Sequence, residues 1–182
     1  MKVTEFPIAG LKLIEPKVFG DERGFFQETW NRKTYENCGI NLPFVQDNLS
    51  FSQRGVLRGL HFQNPKAQGK LVSVIQGEVF DVAVDLRKES STFGKWEGVY
   101  LSDKNHHQFW VPPGFAHGFL VCSETALFSY KCTELYSPQD EWGIRWDDPE
   151  LNISWPIDIE PIVSEKDQKN LFLRDIDKAA LF

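Results

Sequence analysis

The chain has 182 residues, of which 41% are hydrophobic and 14% aromatic. This length suffices for one well-filled core but is short for two, so we expect a single domain spanning residues 1–182. A formal net charge of -6 excludes a surface built as a whole to attract nucleic acid or an anionic membrane, so any anionic ligand must be held by local cations.

Three cysteines, Cys38, Cys122 and Cys132, are widely spaced and odd in number. They form no C-x-x-C pair, so the sequence predicts neither a disulfide framework nor a zinc knuckle, as is typical of a reducing cytosol. The first residues do not form a charged region leading into an apolar stretch, and no run of 18 apolar residues occurs. We therefore expect a soluble, cytoplasmic protein with no membrane partner.

The first elements of the chain are a strand pair and a short helix. The stretch GLKLIEPKVFGDERGFFQETW has two β-prone runs around the turn residues Gly20 to Gly24, which predicts a hairpin or a wide loop. The next stretch, NRKTYENCG, offers Asn31 as an N-cap and Gly39 as a stop, which predicts one short helix.

The central part of the chain is more regular. The stretch KLVSVIQGEVFDVAVDL has β-branched residues on both sides of Gln76 and Gly77. Its second arm alternates an apolar set with a mixed set that includes Asp81 and Asp85, so we predict a hairpin with one apolar and one mixed face. Residues 99–136 continue with strand-like runs at the spacing of 8 to 12 residues that is typical of a sandwich or barrel.

The tail SEKDQKNLFLRDIDKAALF has helical character, with Ser164 and Asp167 in the S-x-x-D arrangement of a capping box. An all-β chain of this size must protect its sheet edges, and a double-sheet jelly roll is a common way to do so. We therefore predict an all-β jelly roll with a few short helices at its ends.

Two segments match the paired motifs of the cupin superfamily of jelly rolls, GLHFQNPKAQGKLVSVIQGEV and PPGFAHGF. Metal-binding cupins have H-x-H and an acid in the first motif, but here the slot runs from His61 to Gln63 and Lys66, Gln68 and Lys70 occupy the region of the acid. Glutamine is a poor ligand for a first-row metal and an ammonium repels a divalent cation. We therefore expect no metal and no cofactor.

Without a metal, the same motifs contain the parts of an acid–base site. A histidine at position 61 can take a proton from carbon, Lys70 can stabilise an oxyanion, and a tyrosine from FSYKCTELY can return a proton. These groups suit proton abstraction next to a carbonyl. Arg23 and Arg58 suggest an anionic substrate, although surface ion pairing is the ordinary role of a single arginine.

Seven segments occur in the order found in the dTDP-4-dehydrorhamnose 3,5-epimerase family: FGDERGFFQE, QDNLSFS, GVLRGLHFQ, QGKLVSVIQGEVFDVAVDLR, FWVPPGFAHGF, YKCTELYSPQDEWGIRW and SEKD. The sequence resembles this family from Phe19 to Asp167. The resemblance implies a homodimeric cupin jelly roll that uses no metal or cofactor. It also implies the substrate dTDP-4-dehydro-6-deoxy-D-glucose, epimerised at carbons 3 and 5 during dTDP-L-rhamnose biosynthesis for surface glycans.

The resemblance also implies roles for individual residues. His61 would be the base, Asp167 its dyad partner, Tyr130 the acid on the opposite face and Lys70 the stabiliser of the enolate oxygen. The substrate-binding positions would be Arg23, Glu28, Gln46, Asp47, Asn48, Arg58, His117, Tyr136, Glu141 and Lys166. Tyr136 would stack on thymine, and the N-terminal arm would contribute to the neighbouring subunit's site. Asp81 is a further candidate.

Several alternatives remain open at this point. Asp167 taken alone is a helix-capping residue, and Tyr130 and Tyr136 are an ordinary pair of aromatic residues on one strand face if the strand runs unbroken. The enzyme alternative is a mono-epimerase of another 4-keto deoxysugar nucleotide. The non-enzyme alternative is a jelly roll that binds a sugar nucleotide without catalysis.

Overall fold

The computed structural model describes residues 1–182. Strands make up most of its regular structure. The strands are β1 (Lys2–Glu5), β2 (Lys12–Glu15), β3 (Val18–Asp21), β4 (Gly24–Gln27), β5 (Gln46–Gln53), β6 (Val56–Gln63), β7 (Lys70–Gln76), β8 (Glu78–Asp85), β9 (Trp96–Ser102), β10 (Gln108–Val111), β11 (Phe115–Val121), β12 (Thr125–Cys132), β13 (Glu141–Gly143) and β14 (Ile162–Val163). The α-helices are α1 (Arg32–Glu36) and α2 (Glu165–Gln168), and 3-10 turns span Pro138–Asp140, Leu173–Asp175 and Lys178–Ala180. No helix has the length and apolarity that crossing a membrane requires.

Two six-stranded sheets form the body of the fold. The first sheet has the strand order β1-β2-β10-β7-β12-β5. The second sheet has the order β13-β6-β11-β8-β9, and β14 joins it by pairing in parallel with β6. The pair β3-β4 stands apart as a two-stranded hairpin. From β5 to β8 and again from β9 to β13, consecutive strands alternate between the two sheets, as they do in a jelly roll.

The core has two principal layers. One layer packs between the sheets around Val72, Phe109 and Phe128, and the other covers the outer face of the second sheet with C-terminal residues such as Leu173 and Ile176. Fully burying a large apolar side chain contributes about 1.5–3 kcal/mol, so both layers stabilise the second sheet. Its inner strand β8, which lies between β11 and β9, is consequently buried on both faces.

The predicted hairpin at Gln76 and Gly77 is wrong. β7 belongs to the first sheet and β8 to the second, so the chain crosses between sheets at this point. Gly77 has a φ of +84°, and a Cβ atom there would lie 2.1 Å from the carbonyl oxygen of Thr125. The period-2 pattern predicted both strands but not their partners, because β8 pairs with β9 and β11 and presents buried residues to both core layers.

Three local predictions are confirmed. β3 and β4 form a hairpin through the turn at Gly20 to Gly24. Asn31 caps α1 by accepting a hydrogen bond from Thr34 N at 3.3 Å. Ser164 caps α2 in the same way, since its Oγ accepts a hydrogen bond from Asp167 N at 3.1 Å.

Candidate active site

Residues from both sheets line a cavity with two lobes. The larger lobe has a volume of about 500 Å³ and the smaller about 310 Å³. His61, Lys70 and Tyr130 line both lobes and therefore lie where the lobes meet. Of the other predicted site residues, Arg58, His117, Lys166 and Asp167 line the larger lobe, and Gln46, Asn48, Tyr136 and Glu141 line the smaller.

His61 and Asp167 form a hydrogen-bonded pair although 106 residues separate them in the chain. His61 Nε2 lies 2.6 Å from Asp167 Oδ1, and the backbone N–H of Gly59 donates to Oδ2 at 3.3 Å. Burial acts to raise the pKa of the Asp167 carboxyl, but the hydrogen bond and charge of His61, with the backbone donor, outweigh it and hold the pKa below its usual range. Asp167 is therefore an ionised partner that can stabilise a protonated His61.

A short C-terminal segment brings Asp167 to His61. Ile162 and Val163 in β14 pair in parallel with Val56 and Leu57 at the start of β6. α2 begins directly after this pairing, so the Asp167 side chain lies against the strand that carries His61. The capping prediction is confirmed for the backbone N–H of Asp167, while its two carboxylate oxygens bind His61 and Gly59.

Lys70 is the first residue of β7 and is partly buried in the cavity. Burial lowers the pKa of its ammonium group, and nearby anionic groups, among them Asp81 and Glu141, oppose the shift. A cation in such a poorly hydrated place interacts strongly with any negative charge that develops on a ligand.

His117 and Asp81 form a second buried histidine–carboxylate pair. His117 lies opposite His61 in the register of β11 and β6, and its Nε2 is 2.9 and 3.0 Å from the two oxygens of Asp81. Asp81 is completely buried, and burial raises its pKa despite the opposing effect of His117. The family resemblance made Asp81 a candidate, but the strand pattern assigned it to a mixed face and did not reveal that it is buried and binds His117.

Tyr130 faces this group from the other sheet. It lies in β12, in register with Asn48 of β5 and Val72 of β7, whereas His61 lies in the second sheet. Burial raises the pKa of its phenol, and the negative groups around it act in the same direction. The phenol therefore holds its proton at neutral pH and can donate it.

Tyr136, Glu141 and Lys166 form a polar cluster at the rim of the cavity. The Tyr136 hydroxyl donates to Glu141 Oε2 at 2.6 Å, and Lys166 Nζ donates to the same oxygen. Burial acts to raise the pKa of Glu141, but these two donors lower it below its usual range. The ordinary explanation for Tyr130 and Tyr136, a pair on one strand face, requires one unbroken strand through both residues. β12 ends at Cys132, so Tyr136 lies beyond the strand that carries Tyr130.

Alternation along β5 divides its predicted binding residues. Gln46 and Asn48 face the cavity, whereas Asp47 points the other way and forms an ion pair with Lys131 at 2.8 Å. The structure therefore does not bring Asp47 to the site. Its position in the QDN motif could not by itself show which of the three side chains faces inward.

Arg23 and Glu28 lie outside the cavity of their own chain. Arg23 is at the tip of the β3-β4 hairpin, where it pairs with Asp21, and Glu28 accepts a hydrogen bond from Asn31. The aromatic residues beside them, Phe25 and Phe26, are 63% and 69% exposed. The hairpin thus presents charged and apolar groups to the outside rather than to His61.

Gln63, in the position of a second metal-binding histidine, has its amide engaged by the backbone. Its Nε2 donates to the carbonyl oxygens of Lys66 and Leu135, and its Oε1 accepts from Ser137 N at 3.0 Å. The amide therefore holds the loops around the smaller lobe. The chain contains no group of three or more His, Cys, Asp or Glu side chains placed to hold a metal ion.

A family model described as dTDP-4-dehydrorhamnose 3,5-epimerase matches residues 5–175. The chain is 56% identical over 168 residues to the dTDP-4-dehydrorhamnose 3,5-epimerase of Methanothermobacter thermautotrophicus, a match that covers 91% of each chain. It is 54% identical over 178 residues to that of Pseudomonas aeruginosa, covering 97% of this chain and 98% of the relative.

Solved structures show the same likeness. The 3,5-epimerase RmlC from Legionella pneumophila, in complex with dTDP-4-keto-L-rhamnose, is 54% identical with a TM-score of 0.97, covering 99% of this chain and 96% of that chain. ChmJ, a 3'-monoepimerase from Streptomyces bikiniensis in complex with dTDP-quinovose, is 33% identical with a TM-score of 0.88, covering 93% and 86%. The predicted cupin-type jelly roll is therefore confirmed.

Proposed function

The chain belongs to the dTDP-4-dehydrorhamnose 3,5-epimerase family, and from this premise we propose how its cavity performs the reaction. It is an isomerase that converts dTDP-4-dehydro-6-deoxy-D-glucose into dTDP-4-dehydro-L-rhamnose, a step of dTDP-L-rhamnose biosynthesis. The conversion inverts carbons 3 and 5, which flank the 4-keto group. Each inversion removes a proton from one face of the sugar and returns a proton to the other.

The observation that carries the proposed mechanism is the placement of His61 and Tyr130 on opposite sheets of one cavity. A substrate held between the sheets presents one face to the imidazole and the other to the phenol. Removal of a proton by one group and delivery by the other then inverts the carbon between them. A base and an acid on the same side would return the proton to the face it came from.

His61 is the base in this proposal. Asp167 engages Nε2, which leaves Nδ1 to accept the proton from carbon, and the ionised carboxylate stabilises the imidazolium that forms. The electron pair of the broken C–H bond moves onto the ketone oxygen, where Lys70 stabilises the enolate. Tyr130 then protonates the carbon from the opposite face. Epimerisation moves only protons, so these four side chains supply the groups that the reaction requires.

The remaining cavity residues bind the nucleotide. Tyr136 is half exposed at the rim, as a ring that stacks on thymine must be, and its hydroxyl is held by Glu141. Gln46 and Asn48 offer amide hydrogen bonds in the smaller lobe. Arg58 and Lys166 are exposed cations that can neutralise the diphosphate.

The β3-β4 hairpin serves a neighbouring subunit in this proposal. Arg23 and Glu28 do not reach the cavity of their own chain, and the exposed Phe25 and Phe26 beside them form an apolar surface suited to protein contact. We therefore propose a homodimer in which the hairpin of one subunit extends towards the cavity of the other. We further propose that the 182 residues form one domain and that the protein is cytoplasmic, which its three free cysteines support because thiols stay reduced in the cytosol.

Isotope labelling tests the mechanism. Incubation with dTDP-4-dehydro-6-deoxyglucose in deuterated water should place deuterium at carbons 3 and 5 of the product, as observed by NMR. His61→Ala should lower the labelling rate at both carbons by about 100-fold or more, because general base catalysis contributes about 10²–10⁴. His107→Ala, which replaces a histidine outside the cavity, is the matched control.

The outcomes also separate the alternatives. Continued labelling of both carbons by His61→Ala would contradict the assignment of the base. Labelling at a single carbon in the unmodified protein would favour a mono-epimerase, since ChmJ shows that the fold accommodates this activity. Tight binding of the sugar nucleotide without any labelling would favour a binding protein.

A further inference from the structure

The inner face of β5 is polar along its whole length. Gln46, Asn48, Ser50 and Ser52 alternate with the outward-facing residues, among which Leu49 and Phe51 are about 60% exposed. This is the reverse of the usual pattern, in which the face turned towards the other sheet is apolar and the outer face polar. A polar inner face is retained where its groups have hydrogen-bond partners.

Three of the four inner side chains have such partners. Gln46 donates to Asn48 and accepts from Tyr136 N at 2.8 Å. Asn48 donates in turn to Cys132 Sγ. Ser52 accepts a hydrogen bond from Arg58 Nε at 3.1 Å and so orients that guanidinium at the edge of the larger lobe.

Ser50 is the exception. Its hydroxyl oxygen is buried and forms no hydrogen bond within the chain. Asn170 Nδ2 is the other buried side-chain atom in this state, but Asn170 does not line the cavity, whereas Ser50 does. A buried hydroxyl without a partner destabilises the folded chain, so a hydroxyl at this position points to a use that alanine would not serve.

We propose that the Ser50 hydroxyl is a substrate-binding group that hydrogen-bonds an oxygen of the sugar nucleotide. Ser50 shares the larger lobe with His61 and Lys70 and with Arg58, the cation oriented by the next inner serine. A serine hydroxyl can both donate and accept, so it suits a phosphoryl oxygen as well as a sugar hydroxyl. The proposal rests on the proposed function, because it takes a sugar nucleotide as the occupant of the lobe.

Calorimetric titration of Ser50→Ala with dTDP and with dTDP-glucose tests the proposal. The dissociation constant should rise about threefold to tenfold, the range of one neutral hydrogen bond. A rise already seen with dTDP assigns the contact to the dTDP moiety, and a rise seen only with dTDP-glucose assigns it to the sugar. Ser50→Cys, which keeps a polar hydrogen at this position on a slightly larger and weaker hydrogen-bonding group, should give a smaller rise in the same direction.

Two further readings separate a binding role from a structural one. The melting temperature of unliganded Ser50→Ala should be unchanged or higher, because the variant removes a buried hydroxyl that has no partner. Ser73→Ala, which removes a hydroxyl bonded to the Ser129 carbonyl outside the cavity, should leave both dissociation constants unchanged. Unchanged affinity of Ser50→Ala for both ligands, or a lowered melting temperature with unchanged affinity, would overturn the proposal.

The unmodified protein provides a separate check on the proposed function. If it binds dTDP-glucose but does not epimerise dTDP-4-dehydro-6-deoxyglucose, the proposed function fails, while the comparison of Ser50→Ala with Ser73→Ala still tests the contact. If it epimerises this substrate and Ser50→Ala binds both ligands normally, only the inference about Ser50 fails.

Discussion

Asp167 takes part both in the N-terminal cap of α2 and in the pair with His61. Its backbone N–H completes the cap of α2, while its carboxylate binds His61 and the backbone of Gly59. A residue that bonds both a helix end and His61, the proposed base, ties the position of the helix to the geometry of the site. The two contributions can be separated by a substitution that changes only the carboxylate.

Asp167→Asn makes that separation. The variant keeps the backbone cap but loses the negative charge, so kcat should fall by about 10²–10⁴, as it does when a histidine loses its ionised partner. Steady-state kinetics with the natural substrate measures the fall. Full kcat in the Asp167→Asn protein would show that the carboxylate does not assist the base.

The lowered pKa of Asp167 also predicts a pH dependence of stability. A carboxyl whose pKa is lower in the folded state stabilises the fold above its unfolded-state pKa of about 3.9, and this contribution is lost as the pH falls through the folded-state value. The stability difference between the unmodified protein and Asp167→Asn should therefore be largest near neutral pH and shrink below about pH 4. Urea unfolding across this range measures it, and a constant difference would contradict the prediction.

Removal of the Lys70 ammonium group should lower the activity without lowering the stability of the fold. Lys70→Met should lower kcat by about 10²–10³ through loss of enolate stabilisation, while the free energy of unfolding is unchanged or increases because a poorly hydrated charge is removed. Because burial lowers its pKa in the folded state, the unmodified protein should gain stability relative to Lys70→Met as the pH rises. Kinetics and urea unfolding at pH 7 and 9 test both parts, and a loss of stability in Lys70→Met would contradict the second.

At the scale of elements, the crossing from β7 to β8 depends on Gly77. Gly77→Ala should destabilise the fold by about 2 kcal/mol or more, because a positive φ and a collision with the Thr125 carbonyl act together. Gly24→Ala is the matched control, since Gly24 also has a positive φ but a Cβ atom there would meet nothing within 4 Å. Urea unfolding compares the two, and equal losses would show that backbone conformation alone sets the cost.

The elements also show what the sequence could and could not predict. The local chemistry of the motifs predicted roles for His61 and Lys70 and left the tyrosine open, and the family resemblance supplied Tyr130; the structure brings all three side chains to one cavity. The pairing of His61 with Asp167 depends on β14 docking beside β6, a long-range contact that no periodicity reveals. The sequence also did not predict the sheet to which β8 belongs or the outward direction of Asp47. Both depend on which strands pair, and the alternation of side chains along a strand does not show which face turns inward.

For the whole molecule, the proposed dimer makes a prediction about mixed subunits. Arg23→Ala and His61→Ala should each be poorly active alone. If the hairpin of one subunit completes the cavity of the other, a heterodimer of the two variants contains one intact site, and random exchange should restore about a quarter of full activity. Refolding the variants together and assaying the mixture tests this, and no recovery would place Arg23 in the function of its own subunit.

The late position of Asp167 has a consequence for synthesis of the protein on the ribosome. His61, Lys70 and Tyr130 belong to strands that can pair as soon as β12 has emerged, but the carboxylate partner of His61 is translated 106 residues after it. A nascent chain with its strands paired as far as β12 would thus hold His61, Lys70 and Tyr130 before the proposed base has its carboxylate partner. Onset of catalysis would then report that translation has passed α2 and that the C-terminal segment has docked.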